Sequence, residues 1–378
     1  MSDSTWSAPE SAVYGRAREL LDADEQAVLA TVIDVEGSAY RRPGAKMLVV
    51  PDGDGVGSVT AGCLEDDIRR LATDVLAAGE PRVETYDMME DDDDVWGLGV
   101  GCNGIIDVLL EPLTDSYRPV LDALAAGDSL GLATVVAGDP PTGARAYYRP
   151  GDGFTDDGDA PPWVRTAVES EVRASLDREG SAVVEVTTDG GTATVFVDAF
   201  VPSPKLVVVG SGHDVEPVTE LAANVDFRTH VVGYRGTTAT AEQFPAADAV
   251  QSTSPANLRE VETFDENTYV VVMTHNFVDD RLTLEALLET PVPYVGLMGP
   301  HERFEELLDA MADDESAPLP TDDDLDRIYT PIGLDLGSGT PYGIAHSIVA
   351  EVLAVANGRD PEHLSAREGP VHERVDAE

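Results

Sequence analysis

The stretch KLVVVGSGHDVEP (205–217) decides the fold of the C-terminal half. Its apolar run, Leu206–Val209, is bounded by Gly210 and followed by a helical stretch, so it reads as a buried strand feeding a tight turn. Gly210 and Gly212 permit that turn and let the backbone approach a phosphate, with His213 completing it. The dinucleotide fingerprint is only partly met. Val215 takes the third small-residue position, and VVGYRG (231–236) has Gly233 where a ribose-binding acid would stand. Arg235 offers a cation nearby. The expectation is a phosphate-bearing ligand at Gly210–His213, with NAD(P) or another nucleotide among the possibilities.

Outward from this turn, strand patterns alternate with helical ones: THVVGY (229–234), TYVVVMTH (268–275) and VPYVGLMG (292–299). That alternation predicts a doubly wound parallel sheet, a Rossmann-like domain over 205–358. Thr274 and His275 fall at the carboxyl end of a strand, where open α/β sheets bind ligands. Asp279 and Asp280 follow at a helix start and suit capping as well as chemistry. Asp335 lies in the glycine-rich PIGLDLGSGTP (331–341). Thr340 as N-cap and Pro341 as first helical residue open a helix running to Asn357.

Pro202 and Pro204 mark a boundary, with a mixed α/β domain over 11–201 before it and a polar tail, 359–378, at the far end. The N-terminal domain opens with a helix (11–23) and the strand AVLATVID (27–34). GSAYRRPGAKMLVV (37–50) turns into a second strand, PDGDG (51–55) has hairpin-turn chemistry, and GSVTAG (57–62) reads as a third strand. Leu64, Ile68, Leu71, Val75 and Leu76 then form a helical stripe ended by Gly79. EDDDD (90–94) reads as a solvated loop and GIIDVLLEPL (104–113) as a buried strand. GDGFTDDGDAPP (151–162) reads by composition as a linker or an excursion, and SAVVEVTTDGGTATVFVDAF (181–200) is a hairpin.

Two cysteines occur, Cys63 after Gly62 in GSVTAGCLEDDI (57–68) and Cys102 in GLGVGCNGIIDVLLEPL (97–113). A thiol in a glycine-rich turn is a candidate contact for a soft metal or a sulfur-bearing cofactor. The alternative is a small buried cysteine in a tight turn. Glu65, Asp66 and Asp67 already use the positive end of the helix after Cys63. The spacing excludes a zinc ribbon, and a reducing compartment argues against a disulfide. Arg41, Arg42 and Lys46 form a basic cluster suited to a phosphate or pterin-phosphate, the alternative being ion pairs with the abundant acids.

Those acids dominate the composition: 72 Asp and Glu against 24 Lys and Arg, a net charge of −48 spread along the chain. Such a surface suits molar salt, where repulsion is screened within about 3 Å. It disfavours nucleic acid and anionic membrane as partners. No stretch of 18 apolar residues and no leader pattern over residues 1–20 appear, so a cytoplasmic location is expected. No GxxxxGK, HExxH or GxSxG pattern occurs, which disfavours P-loop ATPase, zinc protease and α/β-hydrolase chemistry.

Taken together, GSAYRRPGAKMLVV, GSVTAGCLEDDI and GCNGIIDVLLEPL resemble the N-terminal half of the xanthine dehydrogenase accessory factor (XdhC/CoxI) family. VVVGSGHD, VVMTHN, YVGLMGPHER and PIGLDLGSGTPYGIAHSIVAEVL resemble its C-terminal Rossmann half, in the same order. The likeness spans 12–113 and 205–358. It implies a factor that binds molybdenum cofactor, as molybdopterin or its dinucleotide form, and protects it during sulfuration. The factor then inserts it into an apo molybdenum hydroxylase of the xanthine or CO dehydrogenase type. A cysteine desulfurase or other sulfur donor, and a homodimer, are the implied partners. Cys63 is the implied contact to the cofactor and its molybdenum, with Arg41, Arg42, Gly62, Glu65 and Cys102 supporting it. Gly210, Gly212, His213, Thr274, His275 and Asp335 would hold a nucleotide or the cofactor's phosphate.

The sequence departs from the family pattern at Ala61, Asn103, Gly233, Pro300 and Tyr342–Gly343. The resemblance implies a chaperone rather than a catalyst. The rival readings are a nucleotide-dependent oxidoreductase with a redox cysteine, and a persulfide carrier working through Cys63. Salt adaptation predicts that circular dichroism will report a folded chain in multimolar KCl and loss of that signal in low salt.

Overall fold

The computed structural model describes residues 5–51, 55–88, 104–234, 239–314 and 317–366. The chain divides after Pro202 into two units, each with its own core. The N-terminal unit runs α1 (Glu10–Asp22), β1 (Val28–Gly37), β2 (Lys46–Val49), β3 (Val56–Gly57), α2 (Glu65–Ala78), β4 (Arg82–Asp87) and β5 (Gly104–Pro112). It continues with α3 (Arg118–Ala126), β6 (Leu130–Gly138), β7 (Arg145–Arg149), β8 (Gly153–Phe154), α4 (Pro162–Asp177), β9 (Ala182–Thr188) and β10 (Gly191–Phe200). The apolar stripe of α2 packs on the first sheet, and the helix stops at Gly79, whose φ of +69° is the left-handed cap glycine supplies.

Two expectations fail here. GSVTAG is not a strand beyond Gly57, because Gly57 and Gly62 take φ of +82° and +110° and turn the chain out of the sheet. Residues 151–162 are not a linker: they contain edge strand β8, and Arg165 binds the carbonyls of Thr155, Gly158 and Ala160.

The unit is built twice from one plan. The antiparallel sheets have the orders β3-β2-β1-β5-β4 and β8-β7-β6-β10-β9, the same connectivity. β1 and β6 share the sequence LATV (29–32 and 132–135), followed in each by one bulged residue, Ile33 and Val136. The next turns also match in backbone bonding. Gly44 N donates to Val32 O and Ala45 N to Arg42 O; Gly143 N donates to Val135 O and Ala144 N to Pro141 O. Helices α2 and α4 cover equivalent faces, with Ile68, Ala72 and Leu76 matched by Val168, Val172 and Leu176.

The copies dock reciprocally. Lys46 of β2 binds Asp198 of β10 at 2.7 Å, and Arg145 of β7 binds Glu111 of β5. Lys46 and Arg145 hold equivalent registers opposite Thr31 and Thr134, as Glu111 and Asp198 do opposite Leu29 and Leu132. All four side chains are buried. Between the sheets, Ile33 and Leu109 meet their counterparts Val136 and Phe196.

The C-terminal unit runs β11 (Lys205–Val209), α5 (Val215–Ala223), β12 (Arg228–Tyr234), β13 (Ala249–Thr253), α6 (Leu258–Val261), β14 (Thr268–Val272) and α7 (Phe277–Leu288). It ends with β15 (Tyr294–Leu297), α8 (His301–Ala312), α9 (Asp322–Asp326), β16 (Ile328–Tyr329) and α10 (Pro341–Ala356). The six strands are parallel in the order β13-β12-β11-β14-β15-β16, the doubly wound Rossmann arrangement the sequence predicts. Leu206 and Val208 face α5 and α10, while Val207 and Val209 face α7 and α8, so β11 is apolar on both sides. Beneath the sheet, Glu262 joins Lys205 and His230. Burial would raise its carboxyl, but hydrogen bonds from His230 and Lys205 prevail and hold it below the usual range.

The exchanged pairs predict strong coupling. Lys46→Met should cost roughly 3–5 kcal/mol by stranding Asp198, whereas Lys46→Met/Asp198→Leu should recover most of that loss. Denaturant unfolding of the two variants checks this.

Candidate functional site

Antiparallel pairing gathers the sequence-predicted N-terminal residues at one edge of the first sheet. β1, β3 and β4 end there, and β2 and β5 begin there. The Arg41–Arg42 turn between β1 and β2 and the Gly62–Cys63 loop between β3 and α2 therefore share this rim. Ala39, Cys63 and Met88 all pack against the cluster beneath it. The start of β5 presses on the same edge: a Cβ at Gly104 would lie 2.6 Å from Glu36 O. Met88 N donates to Gly104 O at 3.1 Å, so the end of β4 and the start of β5 meet at this rim. Cys102 itself lies outside the described residues, as do the EDDDD loop, the centre of the PDGDG turn and residues 367–378 of the tail.

Cys63 is a free, half-buried thiol on the last residue but one before α2. Its loop is held by Glu65, which turns back from the first turn of the helix. Glu65 Oε1 accepts from Thr60 N at 3.0 Å, and Oε2 accepts from Leu64 N at 3.1 Å and from Thr60 Oγ1 at 2.7 Å. Glu65 is buried and spends both oxygens on Thr60 and Leu64, which flank Gly62–Cys63, rather than on the rim. Arg165 has the matching place in the second copy, with the opposite charge, and binds carbonyls instead of N–H groups.

The basic cluster separates into two kinds. Lys46 is buried in its pair with Asp198, with Glu10 at 3.6 Å, and does not reach the rim. Arg41 is half-buried and Arg42 exposed, and among the described residues neither side chain makes an ion pair or hydrogen bond. Among the described residues these arginines therefore serve no neighbouring carboxylate.

At the carboxyl edge of the parallel sheet, the turn after β11 and the end of β14 meet at the switch point. Gly210 N donates to Val232 O, and a Cβ on Gly210 would lie 2.6 Å from Met273 O, so glycine is required for this approach. His275, at φ +56°, places Nε2 2.7 Å from Asp214 Oδ2. Asp214 is the N-cap of α5 yet makes no capping bond; its carboxylate lies over Gly212 instead. His213 is exposed. Thr274 Oγ1 donates to Asp280 Oδ1 at 2.5 Å and Arg303 binds the other oxygen, so Asp280 fixes this edge while Asn276 caps α7. Asp335 lies in the exposed loop after β16, which Glu351 anchors by accepting from Gly333 N and Tyr294 OH. Asp214 was missed in the sequence; its place directly after His213, where an N-cap falls, was the available signal. Arg235 lies outside the described residues.

Residues 20–87 match the XdhC and CoxI family, and residues 206–352 match the XdhC Rossmann domain. A probable xanthine dehydrogenase subunit of Bacillus subtilis is 30% identical over 341 residues, covering 88% of this chain and 94% of that protein. The chain belongs to the XdhC and CoxI family. The fold is also similar to the crystal structure of a xanthine dehydrogenase from Bacillus halodurans. That structure has a TM-score of 0.74 and 32% identity, covering 92% of this chain and 96% of its own. The molybdenum cofactor insertion chaperone PaoD of Escherichia coli is 23% identical, covering 93% of each chain.

If Glu65 holds the thiol loop, Glu65→Ala removes charge-assisted bonds each worth about 1.5–3 kcal/mol. Labelling of Cys63 by a disulfide reagent, in a Cys102→Ala background, should then speed up by roughly tenfold or more, with α2 intact by circular dichroism.

Proposed function

We propose that this XdhC/CoxI chain binds molybdenum cofactor as cargo and inserts it into an apo molybdenum hydroxylase of the xanthine dehydrogenase type. The observation that carries this reading is the rim of the first sheet, where a free thiol and two guanidinium groups with no partner among the described residues share one edge. The name of the Escherichia coli relative, an insertion chaperone, and those of the two Bacillus relatives support it.

The chemistry of the donor set fits such a cargo. A thiolate is a soft ligand suited to a molybdenum–sulfur centre, and guanidinium forks suit the phosphate of a pterin. Cys63 would hold the metal end and Arg41–Arg42 the phosphate end, with Glu65 keeping the thiol loop in place and Cys102 assisting. Shielding of the cofactor during sulfuration, a cysteine desulfurase as sulfur donor, a homodimer and a cytoplasmic, salt-adapted setting belong to the same proposal. The turn at Gly210, Gly212 and His213, with Thr274, His275 and Asp335, would take a nucleotide once Asp214 swings away from Gly212. An oxidoreductase reading is disfavoured because Gly233 supplies no ribose-binding acid.

Purification from a molybdenum-replete host tests the proposal. Wild type should carry about one molybdenum and one pterin per chain, and Cys63→Ala should lose most of both. Tight NAD(P) binding with turnover and no molybdenum would refute it, as would a persulfide on Cys63 without cofactor.

A further inference from the structure

We propose that Tyr40, backed by Trp6, and the Arg41–Arg42 pair form a two-part clamp for a flat heteroaromatic ring that bears a phosphate. The inference deepens the preceding reading by assigning the parts of a ligand to side chains that the thiol does not explain.

The first observation is an aromatic face turned to solvent. Tyr40 is 59% exposed, the most exposed aromatic among the described residues. It is not loose: its ring stacks on Trp6, with centroids 6.1 Å apart and planes at 29°. Trp6 Nε1 is buried and has no hydrogen-bond partner, so the indole is held by packing and leaves a donor unused beside this loop. An exposed ring backed by a second ring is a stacking platform, since one face is fixed and the other free.

The second observation is charge. The Arg41 and Arg42 side chains follow Tyr40 directly and have no partner among the described residues, while Arg16, Arg18, Arg69, Arg70 and Arg82 of the same copy each hold a carboxylate. Two adjacent guanidinium groups without a partner among the described residues are open to an anion from outside.

The third observation is the duplication. The matching turn of the second copy is shorter, residues 136–142 against 33–43, and carries Pro140–Pro141 and no aromatic or basic residue. Its backbone hydrogen bonds are nevertheless the same. The fold therefore closes this turn without Tyr40, Arg41 or Arg42, and these residues are an addition rather than a structural need.

A pterin phosphate and a purine nucleotide share the required chemistry. Calorimetric titration of the full chain, in the salt that keeps it folded, would use dihydroneopterin triphosphate, GMP, neopterin, guanosine and pyrophosphate. The phosphorylated rings should bind best, and the pterin-to-purine ratio identifies the source. Tyr40→Ala should weaken both phosphorylated rings by roughly tenfold and leave pyrophosphate unchanged, and Tyr40→Phe should restore them. Arg41→Ala/Arg42→Ala should weaken the phosphorylated ligands and pyrophosphate but not neopterin or guanosine. Binding of none of the probes, or affinities unchanged within twofold in both variants, would overturn the clamp. So would loss of binding only in Gly212→Asp at the other turn. Cys63→Ala keeps these affinities if the clamp is right, whatever its molybdenum content, so failure of the cargo reading is told apart from failure of the clamp.

Discussion

The N-terminal unit depends on an exchange of buried charges. Neither sheet neutralises its own: the cation of each copy meets the acid of the other. Buried ion pairs are poor sources of net stability, because desolvation offsets much of the attraction. What they supply here is a penalty for every wrong docking, since a slipped or separated pair of sheets would strand four buried charges. Aromatic rings reinforce the arrangement. Lys46 lies 4.7 Å from the centroid of Phe200 and Arg145 lies 5.3 Å from that of Tyr117, each cation over a ring face. Burial keeps the Tyr14 and Tyr117 hydroxyls protonated, their pKa values raised well above normal, so no further charge enters this core.

With docking fixed by the strands, the loops at the sheet edges are free to diverge, and they have. Where the first copy has Ala61–Gly62–Cys63 before its helix, the matching positions of the second are Pro161–Pro162–Trp163, the N-cap and first two residues of α4. Where the first joins β4 to β5 through residues 88–103, the second makes the tight Asp189–Gly190 turn. Prolines and a short hairpin line the second rim, whereas glycines, a thiol and two cations without partners among the described residues line the first. Helix entry survives in both because Glu65 and Arg165 tie the same loop by opposite chemistry. On the proposed reading one copy serves as scaffold and the other carries the recognition surface, so the stabilising interactions and the ligand-facing ones fall on different residues.

The Rossmann unit was legible because its signals are local. A continuous apolar strand, a glycine turn and a capped helix are each written in a few adjacent residues. The duplication was not legible, because what the copies share is position rather than identity. Outside LATV and the Gly-Ala-cation of the following turn, equivalent sites exchange Lys for Arg, Asp for Glu, and Glu65 for Arg165. Such swaps preserve geometry while erasing the pattern a reader can see. The Gly- and Asp-rich composition of 151–162 suggested a linker, since nothing local reveals that Arg165 will bind its carbonyls. Glu65 was equally opaque: one acid among three in a helix's first turn looks solvated until the loop folds back onto it. Arg41 and Arg42 were legible as a cluster, but their freedom from partners is a property of the folded surface alone.

The same contrast bears on where an anion can bind. The Gly210–Gly212 turn has the backbone geometry for a phosphate, yet its mouth holds the Asp214 carboxylate, clasped by His275. A dianion arriving there meets a like charge at contact distance, at a helix terminus whose favourable field is worth at most about 2 kcal/mol. Repulsion at that range in a partly buried site is comparable or larger. Binding of a phosphate at this turn therefore requires Asp214 to move. The rim of the first sheet has the reverse character, two free cations on one short turn. Electrostatics thus favours the rim for a phosphate and admits a nucleotide at the Rossmann turn only after Asp214 has moved, even though the turn alone carries the familiar glycines.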